Sequence, residues 1–118
     1  DWPMEGGVVT EFGPRLDRRY KTRIPHNGVA IRAAAGGAAV RAIYGGKVLF
    51  AQDFEGFGLT VVLSHGGGIL SLYAGLDRIE VRKGDVVDLE SLLGRAAGEL
   101  YFEIREQNEA VDPREWLR

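Results

Sequence analysis

Glu99, Tyr101, Glu103 and Arg105 occupy every second position of the segment Glu99-Leu100-Tyr101-Phe102-Glu103-Ile104-Arg105. In an extended strand successive side chains point to opposite faces. Two carboxylates, a phenol and a guanidinium therefore share one surface, and Leu100, Phe102 and Ile104 share the other. Carboxylates can hold a metal or move a proton. An adjacent arginine, however, pairs naturally with a carboxylate, and a phenol ionises only near pH ~10. Tyrosine and arginine together are the residue types that anchor binding surfaces. Upstream, His26 to Arg32 reads as a second strand, with Val29 and Ile31 on one face and His26, Gly28, Ala30 and Arg32 on the other. No other catalytic pattern stands out. Ser64-His65 and Ser71 lack a nucleophile elbow, and Gly66-Gly67-Gly68 neither opens a helix nor precedes a Lys-Ser/Thr pair, which argues against a phosphate loop. His65 is expected to be a hydrogen-bonded structural histidine.

The elements that must position these residues are short and glycine-punctuated. Strands are expected over Val8 to Phe12, Ala39 to Ile43, Lys47 to Phe54, Leu59 to His65, Ile69 to Tyr73, Ile79 to Val81 and Val86-Val87, besides the two already named. Turns fall at Gly36-Gly37, Gly45-Gly46, Gly56-Phe57-Gly58, Gly66-Gly67-Gly68 and Lys83-Gly84-Asp85. Arg15 to Pro25 reads as a polar loop. Leu89 to Leu93 reads as a short helical turn, and Pro113 is placed to open another. Even spacing of short strands points to an all-β sandwich or barrel. With no linker, heptad or low-complexity segment, residues 1–118 are expected to form a single domain.

Composition narrows the function classes. Of 118 residues, 45% are apolar and 17 are glycine, enough for a core and rich in turns. Cysteine is absent, so disulfides and thiolate metal sites are excluded. The net charge of −2 and pI near 5.7 argue against nucleic acid as a partner. No apolar run reaches the ~18 residues of a membrane span. Arg15, Arg18, Arg19, Lys21 and Arg23 form one basic segment, which reads as a solvated loop or as a rim for an acidic partner or wall polymer.

An ordered set of motifs carries a family resemblance. Phe12-Gly13-Pro14-Arg15, His26-Asn27-Gly28-Val29-Ala30-Ile31, Gly45-Gly46-Lys47-Val48, Gly56-Phe57-Gly58 leading into Leu59 to Gly66, Tyr73-Ala74-Gly75-Leu76, Lys83-Gly84-Asp85 and Val111-Asp112-Pro113 with Trp116-Leu117 resemble, in order, the LytM-type (lysostaphin-like) zinc endopeptidases, which cut peptidoglycan cross-links. Within that family, Leu100 to Arg105 and the closing segment look most like the degenerate EnvC-type murein hydrolase activators. The resemblance implies an all-β LytM/lysostaphin-like sandwich of the duplicated hybrid motif type. The Lys83-Gly84-Asp85 turn is also similar to that of lipoyl and biotinyl carrier domains, but no lysine sits at a modified hairpin tip.

The resemblance also implies what is missing. Active members carry His-x-x-x-Asp on the first metal strand and His-x-His on the second. The corresponding ligand positions are His26, Ala30 and Tyr101, and the assisting histidines fall on Gly75 and Glu99. A catalytic zinc needs three protein ligands and an open position, so no catalytic residue, metal or other cofactor is expected. A rearranged site built from His26, Glu99 and Glu103 is disfavoured by the neighbouring Tyr101 and Arg105. The emptied groove, with Phe57, Tyr73, Tyr101, Glu103 and Arg105, is expected to bind a partner instead. The segment before the second strand, about Arg95 to Gly98, is short, which would lower one groove wall. The resemblance implies an inactive, extracytoplasmic domain that binds and activates an N-acetylmuramoyl-L-alanine amidase. The alternatives are a non-catalytic peptidoglycan-binding module and, behind it, an active zinc endopeptidase.

Overall fold

Leu100, Phe102 and Ile104 are fully buried, as their alternation with Tyr101 and Arg105 requires. The computed structural model that shows this describes residues 2–10, 15–17, 22–24, 28–34, 37–107 and 109–117. In chain order the strands are β1 (Gly6–Thr10), β2 (Arg15–Asp17), β3 (Thr22–Ile24), β4 (Val29–Ala33), β5 (Ala38–Arg41), β6 (Gly46–Phe54), β7 (Gly58–Gly66), β8 (Ile69–Leu76), β9 (Arg78–Ile79), β10 (Val86–Val87), β11 (Leu92–Ala96), β12 (Glu99–Glu106) and β13 (Glu109–Val111). A 3-10 turn at Pro113–Glu115 follows, opened by the proline. No helix among the described residues is long and apolar enough to cross a membrane.

The large sheet runs β1-β4-β12-β8-β7-β6-β10, all antiparallel, and β13 pairs with the second half of β12 where β4 has ended. A three-stranded sheet, β5-β11-β9, and the β2-β3 pair account for the other strands among the described residues. The core is formed by Val29 and Ile31 of β4, Leu100, Phe102 and Ile104 of β12, Tyr73 of β8, Val61 and Leu63 of β7 and Val48 of β6. Val40 and Leu93 reach the same cluster from the small sheet. The opposite face of the large sheet presents Tyr101, Glu103 and Arg105.

Three local expectations give way to pairing. Leu89 to Leu93 is not helical: a turn closed by Asp88 N–H to Ser91 Oγ (2.9 Å) leads into β11, which pairs with both β5 and β9. Gly94 lies so close to the Arg78 carbonyl that a Cβ there would sit 2.1 Å from its oxygen. Within the basic loop, Arg15–Asp17 and Thr22–Ile24 pair with each other. The first strand begins earlier than expected, at Gly6, because its partner Ala33 is there to receive it. The Glu11 to Phe12 part of that expectation lies outside the described residues. So do Gly36 of the Gly36-Gly37 turn and all of Phe12-Gly13-Pro14.

Candidate functional site

The site is built around β12. Tyr101 stands directly opposite Ala30 on β4 and opposite Ala74 on β8, so two small residues flank its base. Its ring lies over Gly28, where a Cβ would come within 3.0 Å of Cζ and within 2.3 Å of the Phe102 carbonyl oxygen. Any larger residue at position 28 would displace the ring. The Tyr101 hydroxyl donates to Glu103 Oε2 at 2.5 Å, and Arg105 Nε donates to Glu103 Oε1 at 2.7 Å. Glu103 is 4% exposed. A buried carboxylate is tolerated when both oxygens are satisfied, and here one phenol and one guanidinium do so. Burial first, then the hydrogen bond and charge of Glu103, hold the Tyr101 hydroxyl well above its ordinary value, with Arg105 pulling weakly the other way.

Phe57 closes one side. Its ring is 42% exposed and lies 5.8 Å from that of Tyr101, centroid to centroid. The Phe54–Phe57 turn is fixed by Phe57 N–H to the Phe54 carbonyl at 2.8 Å. The Phe57 carbonyl in turn accepts from Gly75 N–H at 3.1 Å. Gly75 has φ +84°, and a Cβ there would sit 2.8 Å from the Glu99 carbonyl oxygen. This position now latches the Phe57 turn. Glu99 points to Arg32, its register partner, in an exposed pair at 3.4 Å, of the kind that contributes little.

Of the sequence-expected groove residues, the structure brings Phe57, Tyr101, Glu103 and Arg105 together. Tyr73 does not belong with them. It is the register partner of Phe102 and so shares its core face. It is fully buried, and its hydroxyl receives Ile43 N–H at 3.2 Å and the Ser71 hydroxyl at 2.9 Å. Burial pushes its pKa up to about 12. Ser71 in turn meets His65 Nε2 at 2.7 Å, and His65 Nδ1 meets the Gly45 carbonyl at 2.8 Å, so His65 is a structural, hydrogen-bonded residue. Glu103 lies beneath Tyr101 and Arg105, holding both, and is not itself a contact surface. His26 lies outside the described residues.

Among the described residues, the donor set does not suit a catalytic zinc. Ala30 has no donor atom, and Tyr101 is held protonated and committed to Glu103. Glu103 is bonded to both neighbours, and the positions where the resemblance expects assisting histidines hold a glycine at φ +84° and a carboxylate paired to Arg32.

A profile of Peptidase family M23 matches residues 24–113, and the chain belongs to that family. Its relatives include the murein hydrolase activator EnvC of Escherichia coli strain K12, 36% identical over 98% of this chain and 28% of that protein. The murein hydrolase activator NlpD of the same strain is 29% identical over 98% of this chain and 30% of that protein. The chain thus spans less than a third of either relative. Among solved structures, a zinc-containing peptidase from Vibrio cholerae superposes with a TM-score of 0.85 at 27% identity, covering 94% of this chain and 37% of that one. The fold is therefore the all-β LytM-type fold, shared by peptidases and by proteins named for activating hydrolases.

Sequence reasoning missed part of the site. Leu70 and Leu72 look like core residues and Ser71 and Tyr73 like surface ones, yet the structure inverts them: Ser71 and Tyr73 are buried, while Leu70 and Leu72 are half-buried on the Tyr101 face. Phe54 and Phe50 were also missed. Their 5.6 Å ring separation and the 5.4 Å stack of Phe54 on Phe57 continue the aromatic wall along β6. The signal available was the recurrence of phenylalanine at positions 50, 54 and 57.

Proposed function

We propose that this domain, acting as one module, is a catalytically inactive M23 domain that binds and activates a peptidoglycan amidase in the cell envelope. The observation that carries the reading is the Tyr101–Glu103–Arg105 network opposite Ala30, at positions to which the family resemblance assigns metal ligands in active members. The activator names of relatives at 36% and 29% identity support it. Murein lies outside the cytoplasmic membrane, so an extracytoplasmic location follows from the same reading. Tyr101 and Arg105 would be the anchors and Phe57 the adjoining apolar contact.

Dye release from labelled sacculi tests the reading. The purified domain alone should release nothing, with or without added zinc, and should raise release by a cognate amidase. Release by the domain alone that a chelator abolishes would make it an enzyme. Retention on sacculi without any effect on an amidase would favour a wall-binding module.

A further inference from the structure

Strand β6 is longer than the strand that flanks it on the outside. It pairs with β7 as far as Phe54, but β10 covers only Gly46 and Lys47. The turn before β10 extends that cover by one residue: Val48 N–H donates to the Asp85 carbonyl, and the Val48 carbonyl accepts from Gly84 N–H, both at 2.8 Å. Among the described residues nothing pairs with the outer edge of β6 from Leu49 to Phe54. Alternation fixes which backbone groups this edge offers. Val48 turns its own outward, a bulge absorbs Leu49, and Phe50 faces Val62. Ala51 and Asp53 therefore turn their N–H and C=O groups outward, while Gln52 and Phe54 turn theirs to β7. The hairpin agrees, since the Phe54 carbonyl accepts from Phe57 N–H within the turn. Apolar side chains collect at the same border: Leu49 and Phe54 are exposed, and so is Val86 on β10. An edge of this kind is an invitation to pair unless lysine, proline or a covering segment blunts it. Here the open stretch carries one bulge and one charge, Asp53.

We propose that this edge pairs with the same edge of a second copy of the chain, antiparallel, about a twofold axis at Gln52. Three antiparallel registers set Ala51 and Asp53 opposite each other or themselves, and the side chains select among them. With Ala51 on the axis, the partner's Phe54 would fall opposite Val48, whose edge the Gly84–Asp85 turn already holds. With Asp53 on the axis, two carboxylates would face each other, a destabilising cross-strand pair. With Gln52 on the axis, each Ala51 exchanges both backbone bonds with the partner's Asp53, and no two charges meet. The two Gln52 amides, each with donors and an acceptor, then face one another. Phe50 stands opposite the partner's Phe54, an aromatic cross-strand pair made twice. Length agrees as well. The partner's β6 ends at Phe54 and turns away just where Asp85 and β10 take over the edge, so a second copy covers the open stretch and no more. The contact is isologous, uses each edge once and closes at two copies. It needs neither the Tyr101 groove nor an amidase, so it stands apart from the activator reading.

Sedimentation equilibrium and cysteine cross-linking test the pairing. The mass of the wild-type chain should rise from 12.9 kDa toward twice that value as its concentration passes about 100 µM, the range of a small, transient contact. Gln52→Glu sets two carboxylates face to face on the axis and should stay at 12.9 kDa over the same range. Gln52 is exposed, so this variant should keep the wild-type unfolding midpoint in dilute solution. The chain has no cysteine of its own, which makes single cysteines a clean probe of register. The two Gln52 positions form a pair without ladder bonds, with Cα atoms about 4.5 Å apart, within disulfide reach. Gln52→Cys should therefore cross-link to a covalent dimer under mild oxidation. In Glu55→Cys the two cysteines lie six residues out of register, roughly 20 Å apart, and that variant should not cross-link. A wild-type mass fixed at 12.9 kDa up to about 1 mM overturns the proposal and leaves the edge to a strand of another protein. Equal cross-linking of the two cysteine variants, or a dimer that survives Gln52→Glu, overturns it too, because either places the contact elsewhere.

Discussion

The Tyr101 hydroxyl and the Glu103 carboxylate lie 2.5 Å apart on one face of a single strand, with Arg105 bonded to the other carboxylate oxygen at 2.7 Å. One buried acid therefore fixes two side chains that would otherwise sample several rotamers. Glu103→Ala should destabilise the domain by about 1–3 kcal/mol, because it strips a partner from both neighbours. Glu103→Gln, which keeps one acceptor, should cost less. Urea unfolding at constant m-value measures both. If Glu103→Ala leaves the midpoint unmoved, the network is not structural.

Arg105 gives the converse expectation. Its side chain is 38% exposed, and substitutions at such positions usually shift stability by about 0.5 kcal/mol or less. Arg105→Ala leaves Glu103 bonded to Tyr101 and lets water reach the carboxylate oxygen that the half-exposed Arg105 had covered, so thermal unfolding should move little. Amidase activation should fall roughly thirtyfold, the loss typical of an interface anchor. Normal activation by this variant would redirect attention to the basic segment from Arg15 to Arg23.

Gly75→His tests whether the histidine that the family resemblance expects at this position in active members can be installed. The backbone there has φ +84°, and a Cβ would approach the Glu99 carbonyl oxygen to 2.8 Å. A non-glycine residue in such a conformation costs on the order of 1–3 kcal/mol. The variant should be less stable than wild type and gain no hydrolytic activity, as read by calorimetry and dye release. A stable Gly75→His protein would show that the local backbone relaxes more freely than its contacts imply.

Alkaline pH should weaken the fold through Tyr73. Its folded pKa is about 12 against an ordinary value of 10.0. Between these values the unfolded chain has released the phenolic proton and the native protein has not, so stability falls as pH rises. The contribution is fully present below pH 10 and is lost by about pH 12, an effect on the order of 2–3 kcal/mol. Tyr101, also raised, adds in the same direction. Tyr73→Phe should flatten the decline above pH 10, even though it forfeits the bonds to Ser71 and Ile43. Phenolate absorbance should show Tyr73 and Tyr101 titrating last. An equal pH dependence in Tyr73→Phe would rule Tyr73 out as its source.

How much of this was legible in the sequence depends on which interaction decides. Leu100, Phe102 and Ile104 alternate cleanly with polar residues, so periodicity alone placed them in the core and Tyr101, Glu103 and Arg105 outside. On β8 the same rule misleads. Leu70 and Leu72 alternate with Ser71 and Tyr73, and the polar pair lies inside because Tyr73 finds Ile43 and Ser71 finds His65. Ile43 is remote in the chain and His65 lies across the β7–β8 turn, and no local pattern announces either bond. Strand β11 was hidden likewise, since Leu92–Ala96 has little intrinsic β preference and extends because β5 and β9 flank it. The Glu103 bridge was half visible. The pairing of arginine with a carboxylate was expected, but the burial of that carboxylate was not.

The line of contacts from Gly45 through His65, Ser71 and Tyr73 to Ile43 runs behind the open face, not across it. It bolts β7 and β8 to the chain segment that follows β5, so the floor beneath Leu70 and Leu72 is braced from the rear. A braced plate deflects little when something is pressed against it. When a firm surface meets a more pliant segment, most of the shape change falls on the pliant one. If the domain docks a partner as proposed, the polar residues buried in β8 make it the firmer of the two bodies, so that docking should reshape the visitor more than the host.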